Sequence, residues 1–464
     1  MNQRKTHEIW HLSLPALLML FFQAMVGLVD VWAAGRLGMG PQAALGLVSQ
    51  LQTVLLVVAT AAAGGAASLV GHALRENRMT DARRFAGLIL SGGILCALVI
   101  AAFGFSGRTG MLEGIATPAE VMPAALTLLS VYLWALPGQY TVTLGGEIFR
   151  AVGESRAPLV VAGGMMLLNV FGDLAFGLGY WGFPAYGMVG IAWSTLVSVY
   201  LGMLVLLALL ARARLLTRES LVPRDWRREN LPTLLRVTIP AAVSSLFINI
   251  GNLLLFFIVA MLPGATAAMA GLSVGLKAET FFYLPAALIN AATTVLVKNR
   301  LAKRDRKGAR QTAARILVWG GLSMTAIAAI FWPFRGDIAA FLSPEAAEQA
   351  ALFLTFQLMS VPFTMISYIA SSVFAGAGAN HFTLLIYDAG IWLARLPLSW
   401  WLGLQRGMGA RGVFMALLIA SVLQAVPMLI LLLRDSWSKY ALNTETGPRS
   451  RPEAQPPKKK KTNR

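Results

Sequence analysis

LSLPALLMLFFQAMVGLVDVWAA, residues Leu12–Ala34, holds one ionisable side chain, Asp30, in an otherwise almost wholly apolar run. A helix of that length reaches across a hydrocarbon core of roughly 30 Å. Cleavable leaders ordinarily carry a shorter apolar region. The stretch therefore predicts a retained first membrane helix behind the basic Met1–Lys5. Its aspartate is the second message. A charge at the bilayer centre costs roughly 2.5–3.5 kcal/mol on insertion scales, so such a residue is expected to face protein or water and to carry a function.

The same composition runs through the chain. Apolar residues make up 57% of 464, and charged residues 13%, against about 25% in soluble domains. Apolar periodicity and Gly/Pro/Arg breaks predict helices near 12–33, 44–72, 84–105, 119–148, 157–178 and 187–211. A second set follows near 232–260, 266–297, 311–333, 345–375, 382–403 and 411–433. The expected fold is an all-α integral membrane protein of about twelve helices. The expected division is a six-helix lobe over 1–211, a linker over 212–230, a second six-helix lobe over 231–434, and a disordered basic tail over 435–464. No stretch is left for a soluble catalytic domain, and no catalytic residue is assigned.

The formal charge of +18 is read as topology rather than nucleic-acid binding, because the cations recur beside alternate spans. Arg75, Arg78, Arg83 and Arg84 form one cluster. Arg212, Arg214, Arg218, Arg224, Arg227 and Arg228 form another, and Lys298, Arg300, Lys303, Arg304, Arg306 and Lys307 a third. The opposite loops hold only Arg36, Arg108, Arg335, Arg406 and Arg411. By the positive-inside rule, both termini are expected in the cytoplasm, with the chain in the inner membrane. The tail Pro452–Arg464, with Lys458–Lys461, is placed there too, either against anionic lipid or as a plain solubilising segment. A lone cysteine, Cys96, and four scattered histidines, His7, His11, His72 and His381, leave no disulfide framework and no metal site. No cofactor is expected.

An internal repeat is visible. AALGLVSQ (Ala43–Gln50) resembles AMAGLSVG (Ala268–Gly275), and FRAVGE (Phe149–Glu154) resembles FAGAGA (Phe374–Ala379). GMVGIA (Gly187–Ala192) resembles GARGVF (Gly409–Phe414), and Val70–Arg83 resembles Val297–Arg310. The offsets all lie near 225 residues. Such duplications favour transport, with the path where the halves meet. Two soluble-enzyme patterns are chance matches. GLGYWG (Gly177–Gly182) follows a lipid-type helix rather than a strand, and GLSVG (Gly271–Gly275) lies inside an apolar helix without a strand–turn setting.

The intramembrane polar residues carry the chemistry. Asp173 lies in the fifth helix, and Asn169, four residues earlier, shares its face. If Asp30 and Asp173 meet in one cavity, they form a proton-binding pair or, with Asn169 and water, a sodium site. In the second half, Lys277 and Glu279 lie on helix eight and Arg395 on helix eleven; Glu279 with Lys277 or Arg395 reads as an ion pair or as a counter-ion to substrate.

DVWAAGRLG (Asp30–Gly38), FRAVGESRAP (Phe149–Pro158), NVFGD (Asn169–Asp173), GMVGIAWST (Gly187–Thr195) and KAE (Lys277–Glu279) resemble the multidrug and toxic compound extrusion (MATE) transporters. The likeness extends to about residue 435. Asp30 with Asn-x-x-x-Asp is similar to the DinF-like branch. That resemblance implies two six-helix lobes around a V-shaped cleft. It implies coupling-ion roles for Asp30, Asp173, Asn169 and Thr195, with Tyr140 nearby. It further implies alternating-access export of small, amphipathic, often cationic organic compounds against protons or, second, sodium. Trp134, Tyr140, Glu279, Lys277 and Arg395 are the expected cleft residues. Partners are expected to be those substrates and membrane lipid, with the chain acting as a monomer. The alternative is a flippase for a lipid-linked intermediate, from the same wider superfamily. The scarcity of mid-membrane arginines counts against it.

Overall fold

The computed structural model of the chain describes residues 3–217, 220, 224–434 and 436–439. The basic tail and part of the linker lie outside the described residues. Among those described, helices account for nearly all regular structure and no strand occurs.

The first half comprises α1 (Gln3–Leu37), α2 (Met39–Leu55), α3 (Val57–Arg75), α4 (Met79–Gly114), α5 (Met122–Ala151), α6 (Arg156–Gly172) and α7 (Met188–Arg212). The second comprises α8 (Arg224–Ala260), α9 (Ala265–Phe282), α10 (Leu284–Ala302), α11 (Arg306–Phe331), α12 (Arg335–Leu342), α13 (Ala347–Gly376), α14 (Asn380–Ala389), α15 (Leu396–Trp400) and α16 (Gly409–Leu433). π-helical turns extend α6 over Asp173–Gly177, and join α14 to α15 and run on to Gln405. Nine described helices are long and apolar enough to cross a bilayer, and α9–α10, bent by 46°, make a tenth. The 30-residue α5 and the run from Asn380 to Gln405 also have the length of a span, in line with about twelve. Pro285 near the start of α10 removes a backbone donor, which accounts for the bend there.

The duplication is geometric. Helices α5 and α13 are each 30 residues long and begin at Met122 and Ala347, 225 positions apart. Each carries one internal proline, Pro137 or Pro362, at the same offset. The second span of each half is interrupted, at Leu56 and at Tyr283.

Two differences from the sequence reading bear on how the halves pack. Helix α8 starts at Arg224, inside the stretch assigned to the linker. Its first turns pack on the first half: Trp226 meets the Phe85 ring edge-on, and Leu234 joins the core formed by α3, α4, α5 and α7. The stretch near 334–344, left unassigned by periodicity, folds as α12, eight residues long. That is too short for a periodic signal to stand out.

Packing defines two faces. The basic face carries the ends of α3, α7 and α10; the opposite, sparsely charged face carries the α1–α2 turn and α12. Toward the sparse face one continuous core joins both halves, with Leu45, Leu47 and Leu129 beside Phe256, Leu272 and Phe353. Toward the basic face the core parts in two. Val70, Leu88, Ile148 and Leu210 belong to one body, and Val297, Phe374, Met428 and Trp437 to another.

Side chains lock the joined end. Gln42 donates to the carbonyls of Val31 and Leu342, both at 2.9 Å, and accepts from the Ser343 hydroxyl. The Met39 amide donates to Glu345 at 2.9 Å, and Thr266 donates to Glu120 at 3.1 Å. Gly46 lets the two halves approach closely, because a Cβ there would stand 2.4 Å from the Ser273 Cβ. The discarded nucleophile motif is thus a helix-packing contact.

Four arginines toward the sparse face lie over aromatic rings: Arg36 on Trp32, Arg108 on Phe105, Arg335 on Trp332 and Arg406 on Trp401. Rings of this kind mark membrane–water interfaces. At the basic face Asp305 caps α11. The Gly308 amide at 2.8 Å and the Arg300 guanidinium at 2.9 Å hold its carboxyl below the usual carboxylate range. The cap is therefore complete at neutral pH and is lost as pH falls through that lowered value.

Candidate functional site

Asp30 and Asp173 meet. Asp30 lies near the end of α1, and Asp173 opens the π-turn that ends the α6 span. A π-turn inserts an extra residue and re-aims side chains, which is why such turns recur at functional positions. Asp173 is fully buried and Asp30 is 9% exposed. Their carboxyl groups face each other within hydrogen-bond reach. Asp30 Oδ1 and Asp173 Oδ2 are buried without a hydrogen-bond partner, and a carboxyl must carry a proton to donate to its neighbour.

Helix α7 supplies the polar wall. Gly172 lets it approach, since a Cβ there would lie 2.4 Å from the Ser194 Cβ. The Ser194 hydroxyl consequently donates to Asp173 Oδ1. Asn169, one turn before Asp173, donates its amide to Thr195 Oγ1 at 3.1 Å, leaving its own Oδ1 without a partner. The four residues expected to cluster, Asp30, Asp173, Asn169 and Thr195, are brought together.

Two members were missed. Ser194 is one; a hydroxyl next to Thr195 in an apolar helix was the available signal. The other is Tyr132 on α5, which is within hydrogen-bond reach of Thr195 and close to both carboxylates. The sequence reading had placed Tyr140 there. Tyr140 instead donates to the Leu55 carbonyl at 2.6 Å, at the break between α2 and α3. The two tyrosines are eight residues apart on α5, so they lie at different depths. Asp173 sits toward the sparse end of its span, and α5 starts at that end, so depth selects Tyr132.

A central cavity of about 570 Å³ lies between the halves. Gln23, Ala24 and Gly27 of α1 face Lys277, Glu279 and Tyr283 across it, with Asn252, Asn290, Tyr368 and Arg395 completing much of the polar lining. Lys277, Glu279 and Arg395 thus stand where expected. Trp134 does not: it is 59% exposed on the outside of α5, against Phe105. Tyr140 lies outside the cavity as well.

Lys277 links cavity and carboxylates. Its Nζ comes within 3.4 Å of where a Gly27 Cβ would be, and Asp30 lies one helical turn further along α1. A side chain of the second half therefore reaches toward the acidic pair of the first. The anticipated Glu279–Arg395 ion pair does not close. Arg395 donates to Asn252 at 3.0 Å, while Glu279 is within hydrogen-bond reach of Gln357.

The arrangement is a buried acidic pair beside a cavity between two repeated bodies. The MatE family model matches twice, over residues 15–174 and 240–401, once in each half and with the spacing of the internal repeat. The chain belongs to the MatE family. It is a multi-pass membrane transporter with the two-lobed, V-shaped MatE fold, and the family consists of transporters rather than enzymes.

Curated MatE relatives align over most of their length. A probable multidrug resistance protein NorM from Thermotoga maritima is 25% identical over 445 residues, covering 94% of each chain. An uncharacterized transporter YisQ from Bacillus subtilis is 21% identical over 414 residues, covering 89% of this chain and 90% of its own. Two solved structures of a multidrug resistance MATE family transporter share the fold. The inward-facing conformation gives a TM-score of 0.79 at 18% identity, covering 91% of this chain and 95% of that one. The outward-facing conformation gives 0.70 at 19% identity, covering 92% and 95%.

Proposed function

We propose that this MatE transporter is a secondary active exporter of small amphipathic organic molecules, working by antiport against protons in the inner membrane. The observation that carries the reading is the facing Asp30–Asp173 pair. One proton between two carboxyls satisfies both orphaned oxygens, and its release leaves a concentrated negative charge beside Lys277 and the cavity. A bound proton and a positively charged cargo oppose each other electrostatically there. By linkage, each then favours release of the other. Asn169, Thr195, Ser194 and Tyr132 orient the pair; for the first two the resemblance to the DinF-like branch implied a part in binding the coupling ion.

With the basic face in the cytoplasm, the parted cores open the cavity inward and the Gln42–Ser343 lock closes the outside. The Thermotoga maritima relative is named a probable multidrug resistance protein, which supports export of foreign compounds.

Sodium is the competing coupling ion, since Asp30, Asp173, Asn169 and the two hydroxyls offer several oxygens. Proteoliposomes separate the two. Efflux is expected to follow an imposed pH gradient in sodium-free buffer and to stop when the gradient is collapsed. Efflux that needs sodium and ignores pH would make the cluster a cation site instead.

Topology is tested separately. In a Cys96→Ala background, cysteines at Gly182 and Pro263 are expected to react with an impermeant thiol reagent applied to intact cells. Cysteines at Asp81 and Glu229 are expected to stay protected until the membrane is opened. Labelling at Glu229 from outside would reverse the orientation.

A further inference from the structure

We propose that the second-half wall of the central cavity is a binding site for a zwitterionic headgroup, with Arg395 taking a carboxylate and Glu279 an ammonium. The inference rests on reading the cavity as the cargo path and narrows the cargo class. Glu279 and Arg395 line both the central cavity and an adjoining one of about 280 Å³. Opposite charges in a low-dielectric wall ordinarily close on each other, because separate burial is costly. These do not. Arg395 donates from one terminal nitrogen to Asn252 at 3.0 Å, and its Nε has no partner. A guanidinium with unused in-plane donors matches a carboxylate through two parallel hydrogen bonds.

The neighbouring hydroxyls point the same way. Ser367 and Thr383 line the adjoining cavity, and each keeps a buried oxygen without a partner. Polar atoms left open around two unclosed charges describe a receptor for a group carrying both signs. A ligand with both charges satisfies Glu279 and Arg395 together. A purely cationic ligand leaves the arginine unmatched. Tyr283 and Tyr368, whose rings are 5.6 Å apart, offer the flat surface for an aromatic body.

Three dansyl probes share a body and differ in charge: Nε-dansyl-lysine (zwitterion), dansylcadaverine (cation) and dansyl-6-aminohexanoate (anion). Fluorescence titration of the purified full-length protein should give the zwitterion the lowest Kd, by roughly ten- to a hundredfold over either other probe. Arg395→Met should raise the zwitterion's Kd to that of the cation and leave the cation's Kd unchanged. Glu279→Gln should do the converse, bringing the zwitterion to the anion's Kd. Arg395→Lys should restore part of the preference, which separates lost charge from a misfolded cavity. Equal Kd values for the three probes, or equal losses for all three in Arg395→Met, would overturn the proposal. So would the absence of saturable binding. Proton-driven export of dansylcadaverine that persists without zwitterion preference would overturn it too, while leaving the antiporter reading intact.

Discussion

Asp173→Asn is expected to abolish gradient-driven export while leaving a folded protein in the membrane. The substitution keeps the side-chain shape and a carbonyl oxygen facing the Ser194 hydroxyl, so packing against Gly172 and α7 survives. What disappears is the ability to exchange a proton at a fully buried position. Asp30→Asn is expected to act alike, because either change leaves a single carboxyl where two had faced each other. Without the second carboxyl no proton is shared, and the charge that holds Lys277 toward the first half is reduced. Substrate accumulation in inverted vesicles, normalised to protein recovered by size-exclusion chromatography, measures the effect. Full accumulation by either single variant at matched expression would remove that residue from the coupling site.

Gly46→Leu is expected to stop the cycle by another route. At Gly46, α2 lies so close to α9 that a single added carbon would collide with Ser273. Overpacking of a tight core costs about 1–3 kcal/mol, which shifts a two-state equilibrium by roughly 5- to 150-fold. The penalty falls only on conformations in which the sparse face is joined. Export should therefore fail although the chain still inserts. Ser343, 1% exposed beneath the lock, gives a direct readout as Ser343→Cys in the Cys96→Ala background. Impermeant thiol reagent should label it slowly with Gly46 present and rapidly in Gly46→Leu. Wild-type export together with a protected Ser343→Cys would show that this contact does not govern closure.

The sequence carried some of this directly. Lipid as solvent forces every spanning backbone to satisfy its own hydrogen bonds, so apolar runs such as Leu12–Ala34 translate into helices without reference to anything distant. The repeat was legible for a related reason, since two copies of one plan keep the same spacing of breaks and prolines. Asp30 and Asp173 stood out because charge inside an apolar run is costly. The four-residue spacing placed Asn169 on the same helix face as Asp173.

Tertiary structure decided what meets what. Tyr132 and Tyr140 look equivalent on α5, and only the depth at which α6 and α7 cross it puts Tyr132 beside Thr195. Trp134 reads as a cleft aromatic until the packing of α5 turns it outward against Phe105. Glu279 and Arg395 suggest a closed pair by charge alone, yet in the packed structure Arg395 turns to Asn252 and Glu279 to Gln357. Helix periodicity fixes which residues share a face of one helix. Rotation, depth and crossing angle between helices depend on contacts between residues hundreds of positions apart, such as Gly46 against Ser273 and Gln42 against the Leu342 carbonyl. That information exists only once the two halves have packed.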